Sequence, residues 1–228
     1  MLRAFPVKEL SVSCIRSAIF FTACSAKPDA EYSGHSFYSP YVEYLGQAPE
    51  EAYPALEETG EWNYLYTQSG QISSRPMRRE TVMIDGLEYS QSIACNKLFI
   101  WGFENRTTVT ASDDAEKTAA VQKVYDLLTV ELGEPEEMTV GREELPPYES
   151  LEQALKDGFP NEETGRYKAW WVIDEDLRGE ALSENSEWIL ACCLAVEDEG
   201  ETISISVQYL IRNPRDLETA GLTQFTEG

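Results

Sequence analysis

Trp62, Tyr64 and Tyr66 alternate along one short stretch, and Arg75, Arg78 and Arg79 follow as the basic cluster of the folded body. Alternate residues of a strand share a face, so the three rings would stand together with Leu65 opposite. Exposed, such a strip suits sugar or protein binding, and the arginines suit an acidic partner. The plainer expectation is an aromatic core, with the arginines neutralising acids of the same chain. These six residues, Trp62, Tyr64, Tyr66, Arg75, Arg78 and Arg79, form the candidate binding surface.

Other chemistry has less to stand on. The chain has one histidine, His35, so mechanisms needing a histidine pair are excluded, and Ser–His or Cys–His catalysis lacks its base in the folded body. No nucleophile-elbow, zinc-protease, dinucleotide or phosphate-loop motif occurs. Asp174-x-Asp176-x-Arg178-Gly179 opens like a calcium loop. Arg178 puts a cation where the third oxygen ligand belongs, and Asn185 replaces the closing Glu, so a polar loop is expected. Asn105-Arg106-Thr107 also matches the glycosylation acceptor pattern. Glycoside hydrolysis needs only two carboxylates, and among 41 acids such a pair cannot be singled out. No catalytic residue, metal site or cofactor is assigned.

Five cysteines are present, Cys14, Cys24, Cys95, Cys192 and Cys193. The last two are neighbours in an apolar run and point to opposite faces of a strand. They cannot easily bridge each other, though one could meet Cys95. The favoured expectation is three buried free thiols, and without a Cys-x-x-Cys pair a structural zinc is not expected.

The elements that must position these groups are legible. Asp113-x-x-Glu116 opens a helix as a capping box, Val121, Val124, Leu128 and Leu132 form its apolar stripe, and Gly133 and Pro135 end it. A shorter helix starts at Ser150, with Leu151, Ala154 and Leu155 as its apolar side. Near Pro49 a third helix is expected to be short, kinked or partly 3₁₀, because Pro54 removes a backbone donor. Thr202 to Ile211 alternates apolar and polar residues, which predicts a strand with one dry and one wet face. Trp188 to Val196 is apolar on both faces and should be central, joined to it by a turn over residues 197–201. Tyr167 to Ile173 is a further strand. Leu87 to Cys95 and Leu98 to Phe103 make a hairpin about Asn96-Lys97. Trp62 to Thr67 and Thr81 to Ile84 are the remaining strands.

The chain's 228 residues carry a net charge of −23 and are 42% hydrophobic, enough apolar content to build a core. This charge argues against nucleic acid or an anionic membrane face as partner, since phosphate contacts need clustered cations. The charge is unevenly spread. Residues 1–27 hold Arg3, Lys8, Arg16 and Lys27 against Glu9, a net of +3 that leaves −26 for the rest. A basic leader on an acidic body is the pattern of an export signal. Ser17 to Ala23 is apolar and is followed by Cys24 and a polar run, and no segment reaches the roughly 18 apolar residues of a membrane span.

Thr22-Ala23-Cys24 after that apolar run resembles the lipobox of bacterial lipoproteins, with Phe21 where the family has Leu, Val or Ile. The resemblance implies that Cys24 is the lipid-attachment residue and the first mature residue. A non-lipidated signal peptide, or a short N-terminal helix or arm with an incidental Cys, would use the same residues differently. Leu45-Gly46-x-x-Pro49-Glu50-Glu51, with the element order from Tyr44 to Ile211, resembles small outer-membrane-assembly lipoproteins and tandem-repeat β-lactamase-inhibitor proteins. That resemblance implies protein binding rather than catalysis.

The resulting expectation is an α+β fold, an antiparallel sheet packed by helices, with two halves sharing a helix-then-strands pattern. Residues 1–24 are the leader, 25–41 a flexible tether, 42–213 the domain and 214–228 a tail. The expected function is that of an exported, lipid-anchored, non-enzymatic binding protein of the bacterial envelope, its partner a protein or an envelope component. Contact with the membrane is by the lipid alone, and nucleic acid is not a partner. Two alternatives stay open: a cytoplasmic acidic binding module of immunity or nucleic-acid-mimic type, and a carboxylate-dependent glycosidase.

Overall fold

A computed structural model describes residues 35–111, 113–135, 149–159, 165–174, 182 and 188–212. The leader with Cys24, the tether up to residue 34, the Asp176–Arg178–Asn185 part of the calcium-like loop and the tail lie outside the described residues. The order is α1 (Pro49–Thr59), β1 (Trp62–Asn63), β2 (Met77–Arg78), β3 (Val82–Ile84), β4 (Leu87–Cys95), β5 (Ile100–Thr110), α2 (Asp114–Leu132), β6 (Glu149–Ser150), α3 (Leu151–Asp157), β7 (Gly165–Asp174), β8 (Ile189–Asp198) and β9 (Thr202–Arg212). The strands form one mixed sheet in the order β1-β2-β4-β5-β9-β8-β7-β6, with β3 also on β4. Every pairing is antiparallel except that of β6 with β7.

Local chemistry explains the helices. The Asp113 carboxylate accepts from the Glu116 amide, which caps α2. Val121, Val124 and Leu128 then bury one face of α2. Ser150 caps α3 in the same way, accepting from Gln153, and Gly158 ends it. Helix α1 starts at Pro49, whose missing donor costs nothing there. It differs from expectation in running as an α-helix through Pro54 to Thr59, the 3₁₀ turn lying earlier, at Pro40–Tyr44. Burial of Ala52, Tyr53 and Leu56 offsets the one hydrogen bond that Pro54 removes. Gly46 joins the 3₁₀ turn to α1 at φ +82°, donating to the Ile100 carbonyl. Only glycine adopts that conformation without strain.

Period-two alternation sorts the strands into two faces. Ile93, Phe103, Val207, Tyr209, Cys192, Leu194 and Trp171 face the three helices and share one buried cluster with Val121, Leu128, Leu56 and Leu151. The opposite face carries a second cluster of Trp170, Ile189, Ala191, Cys193 and Leu210. Strand β8 lies between β7 and β9 and is buried on both faces, as its composition predicts.

Three expectations need correction. His35 to Tyr41 is not the end of a tether: Phe37 is buried against Tyr89, and Tyr41 packs on Trp62. The polar side of β9 is not wet, because Ser204 and Ser206 are buried, their hydroxyls engaged by Arg106 and Glu104. Trp62 to Thr67 is not a continuous strand. It is interrupted at Tyr64, whose φ of +60° turns the chain and breaks the alternation of the three rings.

Tyr209 sits fully buried with no hydrogen-bond partner for its hydroxyl among the described residues, and burial pushes its pKa far above the ordinary tyrosine value. A buried unsatisfied hydroxyl costs about 1–3 kcal/mol. Tyr209→Phe should therefore leave stability unchanged or raise it by about 1 kcal/mol in urea unfolding, whereas a clear loss would mean the hydroxyl is satisfied.

Candidate functional site

The candidate surface maps onto a ribbon at one end of the sheet. Strand β1 is the terminal strand and pairs with β2, Trp62 opposite Arg78 and Asn63 opposite Met77. A further bridge joins Tyr66 to Ile72. The six residues share this ribbon without sharing a role.

Trp62 is buried, its ring edge-on to Tyr41 at 4.9 Å, and is a core residue. Tyr64 is the opposite case, 71% exposed between buried Leu65 and half-buried Asn63. Tyr66 is 38% exposed, with one edge on Tyr53 at 6.0 Å. Met77, not singled out from sequence, adds an exposed apolar side chain.

The arginines divide as well. Arg78 donates to Gln91 at 2.8 Å, pairs with Glu61 at 3.1 Å and lies over the Tyr41 ring. Its bond continues inward, since Gln91 donates to Asn105 and Asn105 to the Phe37 carbonyl. Arg75 reaches across the sheet to Glu104 at 2.7 Å while its side chain stays largely exposed. Arg79 donates its backbone amide to Glu61, and its exposed guanidinium has no ion pair among the described residues. One arginine is therefore free, one is a latch, and one is structural.

Glu104 is the hub that sequence reasoning missed. It lies at the middle of β5 and is almost fully buried. One carboxylate oxygen accepts from Ser206 at 2.6 Å and Gln208 at 3.1 Å, the other from Arg75 and from Ser92 at 3.2 Å. Burial alone would raise its pKa, but the Ser206 bond and the Arg75 charge outweigh that and hold it below the usual carboxylate value. The signal was a lone acid following the apolar run Phe99 to Phe103.

An ion pair with both partners buried lies beyond the ribbon, where Lys117 of α2 contacts Asp198 at the end of β8 at 3.2 Å. Asp198 also accepts from the Gly200 amide, so it fixes the turn into β9. Burial opposes the Lys117 charge, but Asp198 and Asp114 overcome this and raise its pKa. Here the signal was a lysine four residues ahead of Val121, on the apolar stripe.

A wide, open groove of about 730 Å³ runs past Met83, Glu88, Ser90, Arg106 and Thr108. Its lining holds one carboxylate, Glu88, which accepts from Thr81, and glycoside hydrolysis needs two. Cys95, Cys192 and Cys193 are free and buried. Cys192 and Cys193 face opposite sides of β8, and Cys95 contacts the Tyr53 hydroxyl instead, at 3.0 Å. Burial pushes the Cys193 thiol up to about 11. Asn105 is fully buried with its amide engaged, which rules out glycan attachment in the folded chain. Among the described residues, no group of three His, Cys, Asp or Glu could hold a metal ion, and no helix is long and apolar enough to cross a membrane.

Compared with known proteins, the chain matches no family model, no curated protein and no solved structure.

Proposed function

We propose that this chain is an exported binding protein of the bacterial cell envelope, lipid-anchored at Cys24 and without catalytic activity. The observation that carries the reading is the reversal of charge, +3 over residues 1–27 and −26 over the rest, with Ala23-Cys24 following the apolar run. Binding is supported by the ribbon, which holds Tyr64, Tyr66, Met77 and Arg79 in solvent at the end of a broad sheet. Its partner is a protein or an envelope component.

Two related halves belong to the same reading. Strands β3–β4–β5 and β7–β8–β9 each form an antiparallel meander, and the two meet through their last strands, β5 and β9.

Metabolic labelling with a palmitate analogue tests the anchor. Label is expected on the wild-type chain and is lost in Cys24→Ala. An unlabelled, full-length protein in the cytosol would overturn the reading in favour of a cytoplasmic acidic module.

A further inference from the structure

We infer that the ribbon over residues 62–79 docks an acidic segment of a protein partner, with Tyr64 and Met77 as apolar anchors and Arg79 as the charged contact. The inference rests on the binding reading, not on export. The run from Trp62 to Arg79 contains three arginines and no Asp or Glu, in a chain with 41 acids, and Glu80 closes it. At physiological salt, charges more than about 8 Å away are largely screened. At the ribbon the local balance is therefore set by these arginines and by Glu61 and Glu80, which flank the run, rather than by the chain's net charge.

The ribbon's charge is small in effect. Arg78 is taken up by Glu61 and Gln91, and Arg75 by Glu104, which leaves Arg79. A polyanion such as nucleic acid or a sulfated glycan needs a row of cations. One free guanidinium beside exposed apolar side chains matches one or two carboxylates within a protein surface instead.

Tyr64 supplies the second argument. Its bulky side chain sits at φ +60°, a backbone state that disfavours residues with a Cβ. The buried side chains of Trp62 and Leu65 on either side hold the chain in that state and leave Tyr64 in water. Residues held in such sparsely populated backbone states cluster at functional sites. Tyr, Met and Arg are the residue types enriched at protein interfaces.

The test uses the full chain in its host cell, with a benzophenone amino acid replacing Tyr64 and, as a control, the exposed Val130 of α2. The expected result is a cross-link from position 64, absent from position 130, to a protein segment carrying Asp or Glu within a few residues. Its yield should fall about tenfold in Arg79→Glu and recover in Arg79→Lys. A cross-link to nucleic acid or polysaccharide, to a protein segment without acids, or one unchanged by Arg79→Glu overturns the inference. So does no cross-link above the control. Acylation of Cys24, read in the same cells, reports separately on export.

Discussion

Lys117→Met should destabilise the folded chain by about 3–5 kcal/mol, because it strands the Asp198 carboxylate in the interior. The Asp198 side chain is 3% exposed, and once the ammonium is gone the Gly200 amide is the one donor left to it among the described residues. The neighbouring contact with Asp114 contributes little, since Asp114 lies largely in solvent. The double variant Lys117→Met/Asp198→Asn removes both charges and should recover much of the loss. Urea unfolding of the four species forms a double-mutant cycle. A single-variant loss below about 1 kcal/mol, the size of an exposed pair, would show that the pair does not hold α2 to the β8–β9 turn. The pH dependence has a definite sign. The folded-state pKa of Lys117 is raised, so its contribution is complete below the ordinary lysine range and is lost as pH climbs through the raised value.

Glu104→Ala should cost about 3 kcal/mol, since Ser92, Ser206 and Gln208 lose a common acceptor within the sheet. Arg75, already exposed, returns to water at little cost. Glu104→Gln keeps the shape and part of the bonding, so its loss should be smaller. The pH dependence runs opposite to that of Lys117. The folded-state pKa is depressed, so the stabilisation is present above the unfolded value of about 4.3 and disappears as pH falls through the lower folded value. In acid titrations of stability, wild type should lose this contribution and Glu104→Gln should lack that component. Equal acid profiles for the two proteins would remove Glu104 from its place as hub of the sheet's second face.

These two groups mark where sequence reasoning stops. Helices α2 and α3 were legible because capping and stripe lie within a few residues of each other, as with Asp113 and Glu116 or Ser150 and Gln153. Strand β8 was legible because an apolar run with no polar face, too short for a buried helix and closed by the acidic turn at residues 197–201, fits a central strand. The hairpin turns at Asn96-Lys97 and over residues 197–201 were carried by local composition. What failed depends on distant partners. Alternation in β9 correctly separated Ile203, Ile205 and Val207 from Ser204 and Ser206, but it could not show that the serines are buried as well. Their partners, Arg106 and Glu104, lie 98 and 102 residues away in the chain.

The candidate surface shows the same limit from the other side. The alternation of Trp62, Tyr64 and Tyr66 predicts one shared face, and one backbone angle at Tyr64 undoes it. Residue types alone could not divide Arg75, Arg78 and Arg79, because the division is set by Glu104, Glu61 and Gln91 on other elements. Met77 carries no signal in the sequence, and its exposure follows from its place on a two-residue strand near the sheet's end.

Intact-mass analysis of the protein isolated from membranes of its own cells tests the proposed role most directly. The account predicts a chain that begins at Cys24 and carries the added mass of a lipid. A chain that keeps Met1 to Ala23, recovered from the soluble fraction at its unmodified mass, would contradict it.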